Sequence, residues 1–207
     1  MKNSHILYIA SNSASRKNLL EQARIPFIVI DQDADESLVP IDQPLVDIVL
    51  QIAQLKMQHA RIPFGVQEGQ ICFVLTADTL GLTRAGRVLC KPVDRNDAIT
   101  MLQQARLGTL TVTGFCLRRL RWEKNSWVLE QEIIDADQAE SIFDVSDLFL
   151  DFYLDAIPFL SVSGAISIEG VGGQFLHSVD GSYESVVGLP MFKLRCAFSK
   201  LGFYTVG

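Results

Sequence analysis

The sequence predicts a mixed α/β fold, and two patterns carry this prediction. In the first half, short apolar runs typical of buried strands alternate with stretches of helical apolar spacing. In the second half, residues 109–120 and 126–136 predict two long strands joined around residues 123–125. Long antiparallel strands argue against a simple doubly wound parallel sheet. With 207 residues the chain can bury one substantial core, and we expect a single domain over residues 1–207.

The individual elements follow from apolar spacing and from residues that begin helices. Further strands are predicted at residues 6–9, 27–30, 71–75, 80–83, 88–90 and 175–179. Serine and aspartate cap helices, and proline suits the first helical turn. On this basis helices are predicted to begin at Ser13, Pro44, Asp94, Ser146 and Pro190. Residues 84–87 predict a hairpin turn, and the glycine-rich residues 164–173 predict irregular chain.

Composition and charge exclude several classes of protein. The formal net charge of −6 argues against binding nucleic acid or an anionic membrane through bulk charge. There is no run of about 18 apolar residues and no signal-peptide core, so we expect no membrane span. The four cysteines have no C-x-x-C spacing and the three histidines are far apart, which disfavours a zinc site. We expect a protein of the reducing cytoplasm.

Arg16 and Lys17 lie at the unfavourable end of a predicted helix. They fall in the first turn after Ser13, where partial positive charge favours anions rather than cations. A bound phosphate would reverse this penalty, because helix N–H groups, both cations and the hydroxyls of Ser11, Ser13 and Ser15 could contact it. The alternative is an exposed helix with an ordinary serine cap.

Lys56 and Asp78 are two further anomalies. Lys56 continues the apolar stripe of its helix, so it either extends to solvent, which is more common, or meets an anion. Asp78 ends a predicted buried strand, and ligands of α/β proteins bind beyond the carboxyl ends of strands. It could hold a metal or act as a base, or it could simply form a turn. Lys91 ends the next hairpin and could return to the same edge.

Residues 31–36 form a dense acidic cluster. It could bind Mg²⁺ through oxygen ligands, or it could be a solvated loop, which is the more frequent outcome. Its spacing also resembles haloacid-dehalogenase-type phosphatases with Asp31 as nucleophile, but their later G-D-x-x-x-D motif is absent from this sequence. A Walker A loop is absent as well. Together, the cations Arg16, Lys17 and Lys56, the acidic cluster and Asp78 predict one site for a polyphosphate.

Short motifs occur in order along nearly the whole chain. The first is A-S-N-S-A-S-R-K-N-L-L at residues 10–20. The others are Asp35-Glu36, I-A-Q-L-K at 52–56, A-D-T at 77–79, Lys91-Pro92, Thr113-Gly114 and G-S-Y-E-S-V-V-G-L-P at 181–190. In this combination they resemble the Maf family of nucleoside triphosphate pyrophosphatases, although Ala14 replaces a proline and Val162 a lysine of the family pattern.

The resemblance implies hydrolysis of a nucleoside triphosphate to the monophosphate and pyrophosphate, with Mg²⁺ or Mn²⁺. It implies a catalytic centre of Asp78, Lys56 and Lys91, in which Asp78 is the general base or a metal contact. Glu36 is implied as a second metal ligand. By motif match, Ser11, Arg16, Lys56 and Lys91 are implied to bind the phosphates, and Ser13 and Lys17 belong to the phosphate site predicted above from the start of the helix. The implied fold is an elongated mixed-sheet, Maf/ITPase-like structure with two lobes around a central cleft, often as a homodimer.

Three positions separate the subgroups of this family. The dTTP/UTP type has Arg, Thr and Gln there, and the 7-methyl-GTP type has a residue other than Arg, then Gln and Glu. This chain has a mixed set, Ser15, Thr79 and Glu169. A carboxylate only accepts hydrogen bonds, which suits the N1–H and N2–H donors of guanine and repels the carbonyls of uracil and thymine. We therefore expect a 7-methyl-GTP-like substrate. The alternatives are a dTTP/UTP pyrophosphatase and a nucleotide-binding protein with little turnover.

Overall fold

The order of helices and strands follows the alternation that the sequence predicts. The computed structural model describes residues 2–3 and 5–205. Its strands are β1 (Lys2–Asn3), β2 (Ile6–Ile9), β3 (Ile28–Val29), β4 (Ile71–Thr83), β5 (Val88–Leu89), β6 (Thr109–Glu123), β7 (Ser126–Phe143), β8 (Leu176–Gly181) and β9 (Tyr204–Thr205). Its helices are α1 (Ala14–Gln22), α2 (Leu45–Gln58), α3 (Arg95–Ala105), α4 (Leu150–Asp155), α5 (Tyr183–Val187) and α6 (Met191–Lys200). Short 3-10 turns occur at Glu36–Leu38, Asp147–Phe149, Phe159–Ser161, Ser163–Ala165 and Gly170–Gln174.

The predicted mixed sheet is confirmed. Seven of the described strands share one sheet in the order β3-β2-β4-β6-β7-β8, with β5 paired to β4 beside this path. β2 pairs in parallel with β3 and β4, whereas β5 on β4 and β8 on β7 are antiparallel. β1 and β9 form a separate antiparallel pair. The sheet is therefore not a simple doubly wound parallel one.

β4 is longer than predicted, and this changes the setting of Asp78. The predicted strand end at residues 76–78 lies in the middle of β4. The strand continues because its partner changes from β2, paired in parallel up to Leu75, to β5, paired antiparallel from Gly81. The prediction that Asp78 ends a strand is therefore wrong, and Asp78 lies between the two pairings. The hairpin predicted at residues 84–87 is confirmed.

β6 and β7 form the long hairpin predicted from the second half of the chain. Both strands continue beyond their predicted ends, β6 to Glu123 and β7 to Phe143. Lys124 and Asn125 connect them with φ angles of 50° and 60°. Positive φ at both central residues is typical of a type I′ turn, whose twist matches that of paired antiparallel strands.

Side-chain caps begin two helices at the predicted residues. Ser13 Oγ accepts the backbone N–H of Arg16 at 3.4 Å at the start of α1. Asp94 Oδ1 accepts the backbone N–H of Asp97 at 2.8 Å at the start of α3. Each bond satisfies one of the N–H groups that the first turn of a helix leaves unpaired. Pro44 directly precedes α2, as predicted.

Other elements differ from their prediction in extent. The strand predicted at residues 27–30 is reduced to the two exposed residues of β3, at the edge of the sheet. Ser146 begins a 3-10 turn that leads into α4, and Pro190 caps α6 rather than lying in its first turn. α5 is absent from the prediction, because two of its five residues, Val186 and Val187, are β-branched and favour strands.

The chain divides into two compact units, each with its own apolar cluster. The first unit comprises residues 1–78, 114–136 and 188–207, and the second comprises residues 79–113 and 137–187. In the first unit, the buried cluster includes Tyr8, Ala53, Met57, Val74, Cys116 and Leu120. In the second unit, it includes Ala98, Leu102, Phe143, Tyr153, Leu154 and Ile168. No helix in the described part of the chain has the length and apolar character that crossing a bilayer requires.

Gly114 lets α2 pack closely against β6 in the first unit. A Cβ at this position would lie 3.0 Å from the backbone carbonyl carbon of Val49 and 3.1 Å from the amide nitrogen of Leu50. Both distances are shorter than ordinary van der Waals contact, and the obstructing atoms are backbone atoms that cannot rotate away. The close packing holds the Val49–Leu50 turn of α2 against β6.

Candidate active site

Lys56, Asp78 and Glu36 form a cluster of charges in the first unit. Lys56 Nζ lies 2.7 Å from Asp78 Oδ1 and 3.0 Å from Glu36 Oε1. The side chains of Lys56 and Asp78 are each 9% exposed, whereas that of Glu36 is 43% exposed. The lysine on the apolar stripe of α2 therefore meets anions, and the alternative in which it extends to solvent is wrong.

One oxygen of Asp78 is left without a hydrogen bond. Asp78 Oδ2 is buried and has no hydrogen-bond partner among the described residues. Leaving a buried polar atom unpaired costs about 1–3 kcal/mol, and each such atom in a folded protein calls for an explanation. This oxygen could accept a proton from water or bind a cation, which are the two roles predicted for Asp78.

Arg16 is a second buried cation in the first unit. Its Nε donates to the carbonyl oxygen of Gly188 at 2.8 Å, and its Nη1 donates to Ser11 Oγ at 3.3 Å. Burial lowers the pKa of the Arg16 guanidinium, while the charges of Asp78 and Glu36 act in the opposite direction. The guanidinium is therefore fixed by two chain segments and lies within electrostatic reach of both carboxylates. The alternative of an ordinary exposed helix start is wrong for this residue.

The structure does not bring every predicted residue into this cluster. Ser13 uses its hydroxyl to cap α1, and Ser15 and Lys17 are half-buried. The ammonium of Lys17 forms no ion pair with any residue that the structure describes. Lys91 is an exposed residue of the second unit, just after β5. Phosphate binding by these residues stays a prediction.

The acidic cluster at residues 31–36 is split by its own contacts. Asp33 is exposed and pairs with Arg61 and with His59, and these partners hold the pKa of the Asp33 carboxyl below its usual value. Asp35 accepts the backbone N–H of Ser37 at 3.1 Å. Glu36 alone of these carboxylates pairs with Lys56. The cluster is therefore not one Mg²⁺ site, and no group of three or more histidine, cysteine or acidic side chains among the described residues could hold a metal.

Two carboxylates of the charge cluster nevertheless fit a divalent cation. Mg²⁺ is commonly bound by one or two carboxylates, together with waters and the phosphates of a substrate. Glu36 and Asp78 supply two carboxylates, both of which pair with the ammonium of Lys56. Asp78 Oδ2 accepts no hydrogen bond from any described residue. These carboxylates are hard oxygen ligands, which suit Mg²⁺ or Mn²⁺.

The second unit contains a chain of hydroxyl groups. Thr79 Oγ1 and Thr113 Oγ1 lie 2.8 Å apart, and Thr113 Oγ1 donates to the carbonyl oxygen of Ser185 at 2.7 Å. Ser163 Oγ donates to the carbonyl oxygen of Thr79 at 3.3 Å. Hydrogen bonds therefore hold both the side chain and the backbone carbonyl of Thr79, in addition to the strand pairing of β4.

Glu169 is half-buried in the second unit and immediately precedes the 3-10 turn Gly170–Gln174. Burial, and then the negative charges of Glu169 and Glu184, raise the pKa of the Tyr183 phenol. Tyr183 belongs to the motif at residues 181–190, so the charge of Glu169 acts on a residue of that motif. Nothing in these contacts tests the base-reading role of Glu169, which stays a prediction.

Tyr153 anchors the segment that carries Glu169. Its hydroxyl donates to the carbonyl oxygen of Ala165 at 2.8 Å and accepts the backbone N–H of Ser167 at 2.7 Å. A Cβ at Gly172 would lie 1.6 Å from the carbonyl oxygen of Ser167, so only glycine allows the chain to fold back there. The predicted irregular chain at residues 164–173 is therefore a fixed loop.

Three residues of these sites are missing from the sequence-based prediction. Gly188, Ser185 and Tyr153 act through backbone carbonyls or through a phenol whose partners are distant in the sequence. For Gly188 and Ser185, the one available signal is that both belong to the motif at residues 181–190. No spacing rule links that motif to Arg16, which lies 172 residues away from Gly188.

Comparison with known proteins agrees with the order of motifs. The family model for Maf-like proteins matches residues 6–201. A dTTP/UTP pyrophosphatase of Anaeromyxobacter dehalogenans (strain 2CP-C) is 35% identical over 200 residues, covering 95% of this chain and 94% of the relative. A dTTP/UTP pyrophosphatase of Citrifermentans bemidjiense is 34% identical over 205 residues, covering 98% of each chain. A third, from Pseudoalteromonas atlantica, is 30% identical and covers 95% of this chain and 97% of the relative.

Proposed function

This chain belongs to the family of Maf-like proteins, and we propose that it hydrolyses dTTP or UTP to the monophosphate and pyrophosphate. The observation that carries the proposal is the buried cluster in which Lys56 is shared by Asp78 and Glu36, with Asp78 Oδ2 left unpaired. The formal charges of Arg16, Lys56, Asp78 and Glu36 sum to zero, so a triphosphate needs further positive charge there. A divalent cation would supply it.

The proposed roles follow from what each side chain can donate or accept. Glu36 and Asp78 would hold Mg²⁺ or Mn²⁺, which when bound neutralises phosphate charge and acidifies water. Lys56 and Arg16 would bind phosphate oxygens, because phosphoryl transfer depends mainly on positioning and charge neutralisation. Asp78 Oδ2 would accept the proton of the attacking water. The new bond joins the water oxygen to the α-phosphorus, and the bond between that phosphorus and the bridging oxygen breaks, so pyrophosphate leaves.

The choice of base differs from the expectation drawn from the sequence. The named relatives support the dTTP/UTP alternative rather than a 7-methyl-GTP-like substrate. Thr79 is the residue of the dTTP/UTP type, whereas Glu169 is not. In this proposal Thr79 carries the preference, and Glu169 weakens the binding of uracil and thymine without reversing the preference.

A nucleotide panel tests this proposal. We would measure pyrophosphate and orthophosphate from dTTP, UTP, CTP, GTP, ITP and 7-methyl-GTP, each with Mg²⁺, with Mn²⁺ and with EDTA. We expect pyrophosphate from dTTP and UTP and none in EDTA. Release from 7-methyl-GTP alone would reverse the choice of base, and tight binding without release would favour the nucleotide-binding alternative. Orthophosphate as the first product would exclude a pyrophosphatase.

We also propose that the protein acts in the reducing cytoplasm. Cys72 and Cys116 are buried free thiols, and burial raises the pKa of the Cys72 thiol to about 12. Free thiols of this kind fit a compartment that keeps cysteines reduced. The absence of nucleic-acid and membrane partners, and the homodimer, stay predictions; gel filtration with light scattering would test the homodimer.

A further inference from the structure

Lys56 already contacts the two carboxylates that would hold a divalent cation. Its ammonium lies 2.7 Å from Asp78 Oδ1 and 3.0 Å from Glu36 Oε1. A cation that binds both carboxylates would lie close to this ammonium unless the ammonium moves, and like charges at such short distances repel strongly. The repulsion is strongest where water is scarce, and the side chains of Lys56 and Asp78 are each only 9% exposed. The ammonium and a divalent cation therefore compete for the same carboxylates.

The charges of the cluster oppose a divalent cation that arrives without a nucleotide. The formal charges of Arg16, Lys56, Asp78 and Glu36 already sum to zero. A divalent cation alone would leave its own charge uncompensated in a largely buried place, which is unfavourable. Arg16 adds to this opposition, because both carboxylates lie within electrostatic reach of its guanidinium. A triphosphate brings the missing negative charge and offers phosphate oxygens to which an ammonium can move.

Lys56 is the cation of this cluster that can move. It lies in the last turn of α2, and a flexible chain of methylene groups joins its ammonium to the backbone. The guanidinium of Arg16, in contrast, is held by the carbonyl oxygen of Gly188 and by Ser11 Oγ. The side chain of Glu36 is 43% exposed, so a cation can reach the cluster from the side of Glu36. Movement of the Lys56 ammonium would then release oxygens of both carboxylates.

We propose that Lys56 is an internal competitor of the divalent cation, which makes metal binding depend on the nucleotide. Without a nucleotide the ammonium stays on Glu36 and Asp78, so the protein binds metal weakly. When a nucleotide binds together with its metal, the ammonium moves to a phosphate oxygen and the carboxylates bind the metal. The inference rests on the proposed function, in which these carboxylates hold the metal. It goes further by giving Lys56 control over when they do so.

The decisive experiment measures the binding of Mn²⁺ without nucleotide, from the EPR signal of free Mn²⁺ in solutions of the full chain. Lys56→Met removes the ammonium and keeps a side chain of similar length. Competition lowers the apparent affinity for metal according to the fraction of molecules in which the ammonium holds the carboxylates. We therefore expect the dissociation constant of Mn²⁺ to be at least about 10-fold lower in Lys56→Met than in the wild type. An unchanged or higher constant in folded Lys56→Met would overturn the proposal.

Two controls show whether a lower dissociation constant arises at this cluster. Lys193 Nζ lies 3.4 Å from Asp135 Oδ1, so Lys193→Met also removes a paired lysine and changes the net charge equally. Lys193→Met should keep the wild-type dissociation constant. The double variant Lys56→Met/Asp78→Asn lacks both the ammonium and the charge of Asp78, and it should lose most of the tighter binding. The same gain in Lys193→Met, or the full gain in the double variant, would overturn the proposal.

A second variant covers the case in which Lys56→Met fails to fold. Lys56→Gln removes the charge and keeps an amide that can donate a hydrogen bond to a carboxylate. Its dissociation constant for Mn²⁺ should also fall, by at least about 3-fold. An unchanged constant in the folded variants would overturn the inference and leave the proposed function intact. A wild-type protein that releases no pyrophosphate from UTP or dTTP would instead remove the proposed function.

Discussion

The charge cluster of the first unit is held by ion pairs, whereas Thr79 and Thr113 in the second unit are held by hydrogen bonds of their hydroxyl groups. Lys56 and Arg16 contact partners through long side chains, and ion pairs tolerate a range of geometries. Thr79 and Thr113 lie on strands and form hydrogen bonds through short side chains, so the geometry of these bonds is narrowly defined. Charge stabilises any triphosphate whatever its base, whereas a directed hydrogen bond distinguishes one base from another. Under the proposed function, the charge cluster would serve the chemistry and Thr79 would serve the choice of base.

The largest effect is expected from the first unit. Asp78→Asn should lower the rate of pyrophosphate release at least about 100-fold, because the amide cannot act as a base. The protein should stay folded, since the amide oxygen can still accept from Lys56. Asp33→Asn changes an exposed aspartate that does not pair with Lys56, and this variant should keep the wild-type rate. Rapid turnover by Asp78→Asn would show that the proton acceptor is another group.

The buried ion pair predicts a stability effect of about 3 kcal/mol. Lys56→Met leaves Asp78 as a buried charge without its nearest partner, and breaking such a pair costs about 3–5 kcal/mol. Urea unfolding should show the double variant Lys56→Met/Asp78→Asn to be more stable than Lys56→Met alone. Additive losses would mean that the two side chains are not coupled, and the comparison with the second unit would lose its basis.

Glu169 tests whether selectivity lies in the second unit. Glu169→Gln should raise kcat/KM for dTTP and UTP about 10-fold, because an amide can rotate to donate to a base carbonyl that a carboxylate repels. Glu184→Gln is the matched control, since both carboxylates raise the pKa of Tyr183 but only Glu169 lies at a subgroup position. Equal effects of the two changes would remove Glu169 from base recognition.

The smallest effect concerns the anchor of the Glu169 segment. Tyr153→Phe should lower the free energy of unfolding by about 1–2 kcal/mol through the lost hydroxyl bonds. Burial raises the pKa of Tyr153, so above about pH 10 the unfolded chain releases this proton before the folded one does. Wild-type stability should therefore fall as pH rises beyond that point, and less steeply in Tyr153→Phe. Tyr204→Phe, which removes no such bond, should leave stability at neutral pH unchanged.

The sequence predicted the features that depend on residues a few positions apart, such as helix caps and the faces of helices. The caps at Ser13 and Asp94 follow from residues a few positions apart, and the anomaly at Lys56 follows from helical spacing. The course of β4 was mispredicted because its pairing with β5 replaces its pairing with β2, which is a tertiary event. The bond from Arg16 to Gly188 likewise joins distant segments, so no periodicity of the sequence contains it.

The unbroken course of β4 bears on how this protein can evolve. Asp78 and Thr79 are consecutive residues of one strand, so their side chains point to opposite faces of it. Under the proposed function, replacing the residue at position 79 would alter which nucleotide is accepted while the acid at 78 keeps its surroundings. An insertion or deletion of one residue between them would move one of the two side chains to the other face of the strand. We therefore expect β4 to tolerate substitutions at position 79 during evolution and not to tolerate changes in its length.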